Sequence, residues 1–100
     1  MQIELRCNTM VRDFKRHITK YESNYGRKLA IVGMNENTLT NFIRQCTKAY
    51  HGEQQVSEEL VRNVINGRNS VSCEQVYIIP DKYVENGYME DYEYGITTET

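Results

Sequence analysis

The sequence predicts an α+β fold made of three helices and a small antiparallel β-hairpin. Three segments before residue 67 repeat apolar side chains every three or four positions, which is the spacing of a helix that buries one face. Beyond residue 75 the apolar spacing falls to two, as it does in strands. Asn86 and Gly87 then form the strongest two-residue hairpin signal in the chain.

Strand and helix alternate in the first part of the chain. Residues 2–6 alternate polar and apolar side chains, which predicts a short strand. Asn8 or Thr9 caps the first helix, and Gly26 ends it. Residues 28–34 are rich in β-branched side chains and predict a second strand. The apolar stripe of the first helix comprises Met10, Phe14, Ile18, Tyr21 and Tyr25.

Two further helices follow in close succession. Asn35 or Asn37 caps the second helix, which ends at Gly52. Ser57 caps the third helix, which ends at Gly67. Their apolar stripes comprise Leu39, Phe42, Ile43, Cys46, Ala49 and Tyr50 in the second helix, and Leu60, Val61, Val64 and Ile65 in the third.

The last part of the chain is predicted to be β-structure. A strand that begins at Val76 ends at Pro80, because proline lacks the N–H that a strand ladder requires. Residues 82–84 and 88–94 are predicted as the two arms of a hairpin around the Asn-Gly pair.

One domain of ordinary globular composition accounts for the 100 residues. We assign residues 1–80 to its helical part and residues 81–100 to its acidic, tyrosine-rich hairpin and C-terminal end. The longest apolar run, residues 29–34, is far below the about 20 residues that span a bilayer, so we expect no membrane contact. Three widely spaced cysteines argue against a disulfide framework and indicate a reducing, cytoplasmic location.

The sequence carries no recognisable catalytic or metal-binding motif. It contains no nucleophile elbow, phosphate-binding loop or zinc-protease motif, and its glycines are dispersed as helix stops and turns. Cys46, His51 and His17 would lack a fourth ligand for zinc, and no paired spacing supports such a site. We therefore expect a non-catalytic protein that uses no metal or cofactor.

Charge is distributed unevenly along the chain. Residues 1–50 contain nine Lys or Arg against four Asp or Glu, a net charge of +5. Residues 81–100 contain one Lys against six Asp or Glu, a net charge of −5. This asymmetry predicts two faces with different electrostatic partners, or two faces of one dimer that attract each other.

From the first helix onward, the predicted elements follow the order of winged helices, in which a β-hairpin follows the third helix. Residues 56–72 (VSEELVRNVINGRNSVS) resemble the recognition-helix segment of the lactose-repressor family of helix-turn-helix regulators. The resemblance implies a DNA-binding regulator of phage or mobile-element type. A second candidate for the turn of a helix-turn-helix lies at residues 33–42. It requires a helix immediately before it, where we predict the second strand. The shared positions are the VS pairs at 56–57 and 71–72, Val61, Val64 and Asn66.

The same resemblance implies that the outward side of the third helix contacts double-stranded DNA. Ser57 and Asn66 take the positions of phosphate contacts, and Glu58, Glu59 and Asn63 take the positions that read bases. A serine at a helix N-terminus suits a phosphate, and an asparagine amide can read adenine. We expect a homodimer, because a single helix offers few contacts. The predicted DNA-contacting residues are Ser57, Arg62, Asn63, Asn66, Arg68 and Asn69, with Arg12, Lys15 and Arg16 of the first helix as backbone contacts.

The acidic end of the chain supports an alternative interpretation. Tyrosine offers a rigid, amphipathic contact surface, and interleaved carboxylates favour a basic partner. In size and in this acidic, tyrosine-rich character the chain is similar to small mobile-element inhibitors, including anti-CRISPR and anti-restriction proteins. That similarity implies a nucleic-acid decoy that binds a nucleic-acid-processing protein. A simpler explanation is an edge hairpin whose charges discourage aggregation. The predicted contact residues are Tyr83, Glu85, Tyr88, Glu90, Asp91, Tyr92, Glu93 and Tyr94.

Overall fold

The structure, a computed structural model, describes residues 2–52 and 56–92. Within these two ranges, three helices and five strands follow one another in the order βαβααβββ. The predicted α+β class is confirmed, and so are the three helices. The helices are α1 (Met10–Tyr25), α2 (Glu36–His51) and α3 (Glu58–Ile65). The strands are β1 (Gln2–Glu4), β2 (Ile31–Met34), β3 (Val71–Cys73), β4 (Val76–Pro80) and β5 (Tyr88–Tyr92).

Local capping explains where the helices begin and end. Asn35 Oδ1 accepts a hydrogen bond from the Thr38 N–H at 2.8 Å, and Ser57 Oγ accepts one from the Leu60 N–H at 3.1 Å. α1 ends at Gly26, whose φ of 66° is the left-handed value that glycine adopts without strain. The predicted caps at these three positions are confirmed. None of the helices in the described ranges combines the length and the apolar character needed to cross a bilayer.

The five strands form one mixed sheet in the order β1-β5-β2-β4-β3. β2 and β4 run parallel, and the other three neighbouring pairs run antiparallel. β5 comes last among the described strands in sequence but lies between β1 and β2 inside the sheet. The sheet is therefore mixed and larger than the small hairpin that the sequence predicts.

The hairpin predicted around Asn86 and Gly87 does not form. Its predicted first arm, residues 82–84, lies in a turn, where the Asp81 carboxylate accepts a hydrogen bond from the Tyr83 N–H at 2.9 Å. The predicted second arm does form a strand, β5, but this strand pairs with β1 and β2. Two partners satisfy backbone groups on both sides of β5, whereas a hairpin would have satisfied only one side.

Sequence reasoning missed the hairpin that does form, β3–β4. Glu74 and Gln75 connect its strands, and both have positive φ, at 54° and 68°. Positive φ at both central residues is the geometry of a type I′ turn, which usually contains Asn, Asp or Gly. Because neither residue belongs to that group, the sequence carries no turn signal at this point.

The helices cover one face of the sheet, and the core lies between the two layers. Side chains from all three helices and from the sheet join in one buried cluster. The rings of Phe14 and Phe42, 4.9 Å apart, bring α1 and α2 together within it. The strand residues that point into this core include Val32, Met34, Val76, Ile78 and Met89, each at most 3% exposed.

The other face, which we call the open sheet face, has none of the three helices packed against it. Alternation along the strands determines which side chains point there. Tyr77 and Ile79 of β4 are 57% and 43% exposed on this face. The strand register places on it Gln2 and Glu4 of β1, Tyr88, Glu90 and Tyr92 of β5, Ile31 and Gly33 of β2, Tyr77 and Ile79 of β4, and Ser72 of β3.

Candidate functional site

The residues predicted to contact DNA at α3 lie along its outer side and the turn that follows it. Arg62, Asn66, Arg68 and Asn69 are exposed, and Asn63 is half-buried. The backbone carbonyl of Asn63 accepts hydrogen bonds from the N–H groups of Arg68 and Asn69, at 2.7 Å and 3.2 Å. These bonds fold the turn back onto the end of the helix, so the structure brings the predicted residues of this segment together.

Ser57 is exposed, but its hydroxyl already serves the helix. Ser57 Oγ accepts the N–H of Leu60, so one free N–H group of the first turn is satisfied without a phosphate. Glu58 and Glu59 stand in that first turn and are exposed. Carboxylates there stabilise the positive end of the helix dipole, but they repel phosphate.

Arg62 lies in a mixed electrostatic setting. A shallow hollow of about 340 Å³ between α2 and α3 is lined by Arg62 and Arg44 together with Glu36 and Glu58. Two carboxylates therefore accompany the two guanidinium groups. This part of α3 does not present a purely basic surface.

Arg12, Lys15 and Arg16 of α1 are exposed, as a basic helix face requires. Lys15 Nζ lies 3.8 Å from Glu74 Oε2 and 4.8 Å from the centre of the Tyr50 ring. Arg12 lines a separate hollow between α1 and α2. α2 therefore lies between the hollow lined by Arg12 and the hollow lined by Arg62.

The acidic, tyrosine-rich residues of β5 are divided between the two faces of the sheet. Tyr88, Glu90 and Tyr92 point to the open sheet face. Asp91 points to the helices instead, where its Oδ2 lies 3.0 Å from His17 Nε2 and its side chain is 12% exposed. The structure thus separates Asp91 from the other predicted contact residues of this strand.

The remaining members of that predicted set lie on either side of β5. Tyr83 is 82% exposed in the loop that precedes the strand, and Glu85 of the same loop is also exposed. The Glu85 N–H donates to Gln2 Oε1 at 3.1 Å, which ties this loop to the β1 end of the open sheet face. Glu93 and Tyr94 lie outside the described residues.

Tyr92 lies flat across the middle of the open sheet face. A Cβ placed on Gly33 would approach the Cε2 and Cζ atoms of the Tyr92 ring to 3.0 Å, so the ring rests directly on the glycine. The Tyr92 hydroxyl donates to the Asp81 carboxylate. Burial raises the pKa of Tyr92 above its ordinary value, and the bond to Asp81 raises it further. The hydroxyl therefore stays protonated and holds the ring in place.

A second site, which sequence reasoning missed, is a groove between α2, α3 and β3. It has a volume of about 720 Å³ and is lined mainly by apolar side chains, together with Cys46, Cys73 and Tyr50. The two sulfur atoms are 3.4 Å apart. We call this feature the thiol groove. The wide sequence spacing of the cysteines gave no signal of this contact, which the folding of β3 beside α2 creates.

Comparison with protein-family models, curated proteins and solved structures found no match. Within residues 2–52 and 56–92, no group of three or more His, Cys, Asp or Glu side chains is placed to hold a metal ion.

Proposed function

We propose that the protein binds a basic, nucleic-acid-processing protein through the open sheet face and acts as a decoy for nucleic acid. The observation that carries this proposal is the composition of that face. Three tyrosines and two glutamates point there, and no Lys or Arg is among the described strand residues that share it.

The position of β5 removes the simplest explanation for its carboxylates. Charges on an edge strand discourage edge-to-edge aggregation, and the sequence allowed this explanation for the carboxylates of β5. In the sheet order, however, β1 and β3 are the edges, and β5 has a partner on each side. Its acidic and aromatic side chains therefore call for an explanation other than protection of an edge.

The face has the composition of a protein-binding surface. Tyr77 and Ile79 expose apolar area at its β4 side, and Tyr88 and Tyr92 are half-buried on β5. Aromatic side chains at the centre of a contact contribute most of its binding energy, while polar groups at the rim set orientation. Glu4, which is exposed on β1, supplies such a rim.

Charge complementarity supports this class of partner. Glu4 and Glu90 give the open sheet face negative charge, and no Lys or Arg of the described strand residues on that face offsets it. A groove that binds phosphates is lined by Lys and Arg, and it attracts an acidic surface for the same reason that it attracts nucleic acid. The open sheet face would occupy such a groove and exclude the natural ligand.

The test compares two double variants that each remove two carboxylate charges. Glu4→Gln with Glu90→Gln changes the open sheet face, whereas Glu36→Gln with Glu59→Gln changes exposed positions on α2 and α3. Each immobilised protein is incubated with nuclease-treated cell lysate, and retained proteins are identified by mass spectrometry. We expect the unaltered protein and the helix variant to retain nucleic-acid-processing proteins that excess duplex DNA releases.

The open-face variant should retain on the order of tenfold less of the same proteins, which corresponds to about 1.4 kcal/mol of binding free energy. Retention of no such protein would contradict the proposal. Equal losses in the two double variants would also contradict it, because binding would then depend on total charge and not on this face.

A second candidate function is DNA binding through α3, with α2, α3 and the β3–β4 hairpin acting as a winged helix-turn-helix in a dimeric regulator. Exposure of Arg62, Asn66, Arg68 and Asn69 along one segment supports it. The six residues from 52 to 57 that connect α2 to α3 exceed the three or four of a typical helix-turn-helix turn. Together with the two leading glutamates, this connection makes DNA binding the weaker candidate.

Duplex binding measured by fluorescence anisotropy tests the second candidate. Affinity should fall steeply as salt rises and should be lost in Arg62→Ala with Arg68→Ala. Arg27→Ala with Lys28→Ala removes the same charge outside α3 and serves as the matched control. Absence of binding to any duplex at low salt would eliminate this candidate.

A further inference from the structure

Two cysteines that are far apart in sequence meet in the thiol groove. Cys46 belongs to α2 and Cys73 to β3, and their Sγ atoms lie 3.4 Å apart. Cys46 is half-buried and Cys73 is buried, while Cys7, the third cysteine, is exposed. From this distance, a small rotation of the two side chains would bring the sulfur atoms close enough to form a disulfide bond.

The two thiols occupy different electrostatic environments. The Cys46 thiol donates a hydrogen bond to Cys73 Sγ, which lowers the pKa of Cys73 below its ordinary value although burial opposes the shift. The same contact, together with burial, raises the pKa of Cys46 above its ordinary value. The contact therefore favours the thiolate form at Cys73 and the thiol form at Cys46.

Two charged neighbours act on the pair in opposite directions. Lys15 stabilises the Cys73 thiolate, and Glu74 destabilises it. Lys15 lies 3.8 Å from Glu74, and each of the two charges affects the pKa of Cys73 less than the contact with Cys46 does. The contact between the cysteines is thus the main cause of the difference between them.

We propose that Cys73 and Cys46 form a peroxide-sensitive thiol pair, in which Cys73 reacts first and Cys46 closes a disulfide. The Cys73 thiolate attacks one oxygen of hydrogen peroxide and the O–O bond breaks, which gives a sulfenic acid on Cys73 and a hydroxide ion. The Cys46 sulfur then attacks the sulfenic sulfur and the S–O bond breaks. The proton of the Cys46 thiol leaves with the hydroxyl group of the sulfenic acid as water. The two sulfurs have together lost two electrons to the peroxide.

The surroundings of the pair suit this chemistry. The thiol groove, about 720 Å³, gives a small oxidant access to a sulfur whose residue is only 6% exposed. A disulfide requires an S–S distance of about 2.05 Å, so the sulfurs must approach by little more than 1 Å. The bond would tie α2 to β3 across the floor of the groove. The inference does not depend on the proposed decoy function.

Peptide mapping of the complete chain tests the proposal directly. The reduced protein is treated with hydrogen peroxide, remaining thiols are blocked with iodoacetamide, and the digest is analysed by mass spectrometry. We expect a linked pair of peptides that contain Cys46 and Cys73, the loss of two hydrogens from the intact mass, and an alkylated Cys7. Disulfides formed mainly by Cys7, or an unoxidised Cys73, would overturn the proposal.

Three variants distinguish a reactive pair from a structural contact. In Cys46→Ala, the pH midpoint of Cys73 alkylation should move upward, because the hydrogen-bond donor is gone, and peroxide should take Cys73 on to sulfinic acid. Cys46→Ser retains a hydroxyl donor and should keep the midpoint closer to that of the unaltered protein. Cys7→Ser should change neither reading. An unchanged midpoint in Cys46→Ala would overturn the proposal, and the mapping of the unaltered chain decides the matter if a variant does not fold.

Discussion

Asp13 is a buried carboxylate that organises the junction between β1 and α1. It is 8% exposed and accepts hydrogen bonds from the backbone N–H, Nε and Nη2 of Arg6, at 2.9, 3.1 and 2.8 Å. The Thr9 hydroxyl donates to it as well. The pKa of Asp13 lies well below its ordinary value, mainly because of the hydrogen bonds from the Arg6 side chain. The carboxylate is therefore ionised in the folded protein at all ordinary pH values.

Replacing Asp13 with asparagine should lower the free energy of unfolding by about 1 to 3 kcal/mol at neutral pH, because a charged acceptor is lost while its donors remain. The folded-state pKa of Asp13 lies below the unfolded value of 3.8. Its stabilisation is therefore complete above that value and declines as the pH falls below it. Urea unfolding at neutral and at acidic pH would measure both effects.

The difference between Asp13→Asn and the unaltered protein should accordingly shrink in acid. Glu36→Gln, at an exposed position on α2, is the matched control and should show a much smaller effect at either pH. A difference that stays constant down to strongly acidic pH would show that the variant acts through packing and not through the charge.

Among the elements, the β3–β4 hairpin contains the least favourable backbone. Glu74 and Gln75 both occupy the left-handed region, which costs a side-chain-bearing residue about 1 to 2 kcal/mol. The Glu74 carboxylate accepts a hydrogen bond from the Tyr50 hydroxyl, and Gln75 Oε1 accepts one from exposed Lys28 at 2.9 Å. The turn is held by these contacts and by pairing with β4, since its own residues do not favour it.

Gln75→Gly should raise the free energy of unfolding by about 0.5 to 1 kcal/mol, because relief of the left-handed strain exceeds the entropy that glycine loses on folding. Chemical denaturation of the variant would measure the gain. Gln75→Ala retains a Cβ, removes the same bond to Lys28 and should give no gain. Equal effects of the two substitutions would mean that the turn carries no strain at this position.

The sheet as a unit depends on its last strand. β5 pairs with both β1 and β2, and β1 has no other strand neighbour within the described residues. Residues as far apart as Gln2 and Tyr92 must therefore come together before these three strands can associate, and such long-range pairing slows folding. Met89, the fully buried second residue of β5, connects this strand to the core under the helices.

Met89→Ala should lower the free energy of unfolding by about 2 to 5 kcal/mol, as expected for a large side chain removed from a closed core. Amide hydrogen exchange in β1 and β2 should accelerate together, because both strands lose a common neighbour. Leu60→Ala, at a position 43% exposed on α3, is the matched control and should cost about 1 kcal/mol or less. Acceleration confined to β5 would contradict this cooperative behaviour.

Local patterns in the chain predicted the three helices and most strands, but Thr9 makes no side-chain cap bond to the first helix, and Leu60, predicted to point inward, is 43% exposed. Ser57, Asn35 and Gly26 act through neighbours three or four residues away, so their roles as caps follow from sequence spacing. The exposed polar side of α3 follows from the same periodicity. The β3–β4 hairpin could not be inferred, because distant contacts and not turn-forming residues hold its turn.

Strand pairing and the composition of the surfaces could not be read in this way, because both depend on residues that are distant in sequence. The Asn-Gly pair predicts a hairpin, yet β5 gains two partners between β1 and β2 and leaves its predicted arm in a turn. In that placement, Asp91 contacts His17, and Glu90 lies beside the tyrosines of the open sheet face. It is likewise folding that brings Cys46 within 3.4 Å of Cys73. Periodicity specifies which side of an element is buried, but the energy that selects its neighbour comes from long-range packing and from hydrogen bonds on both strand edges.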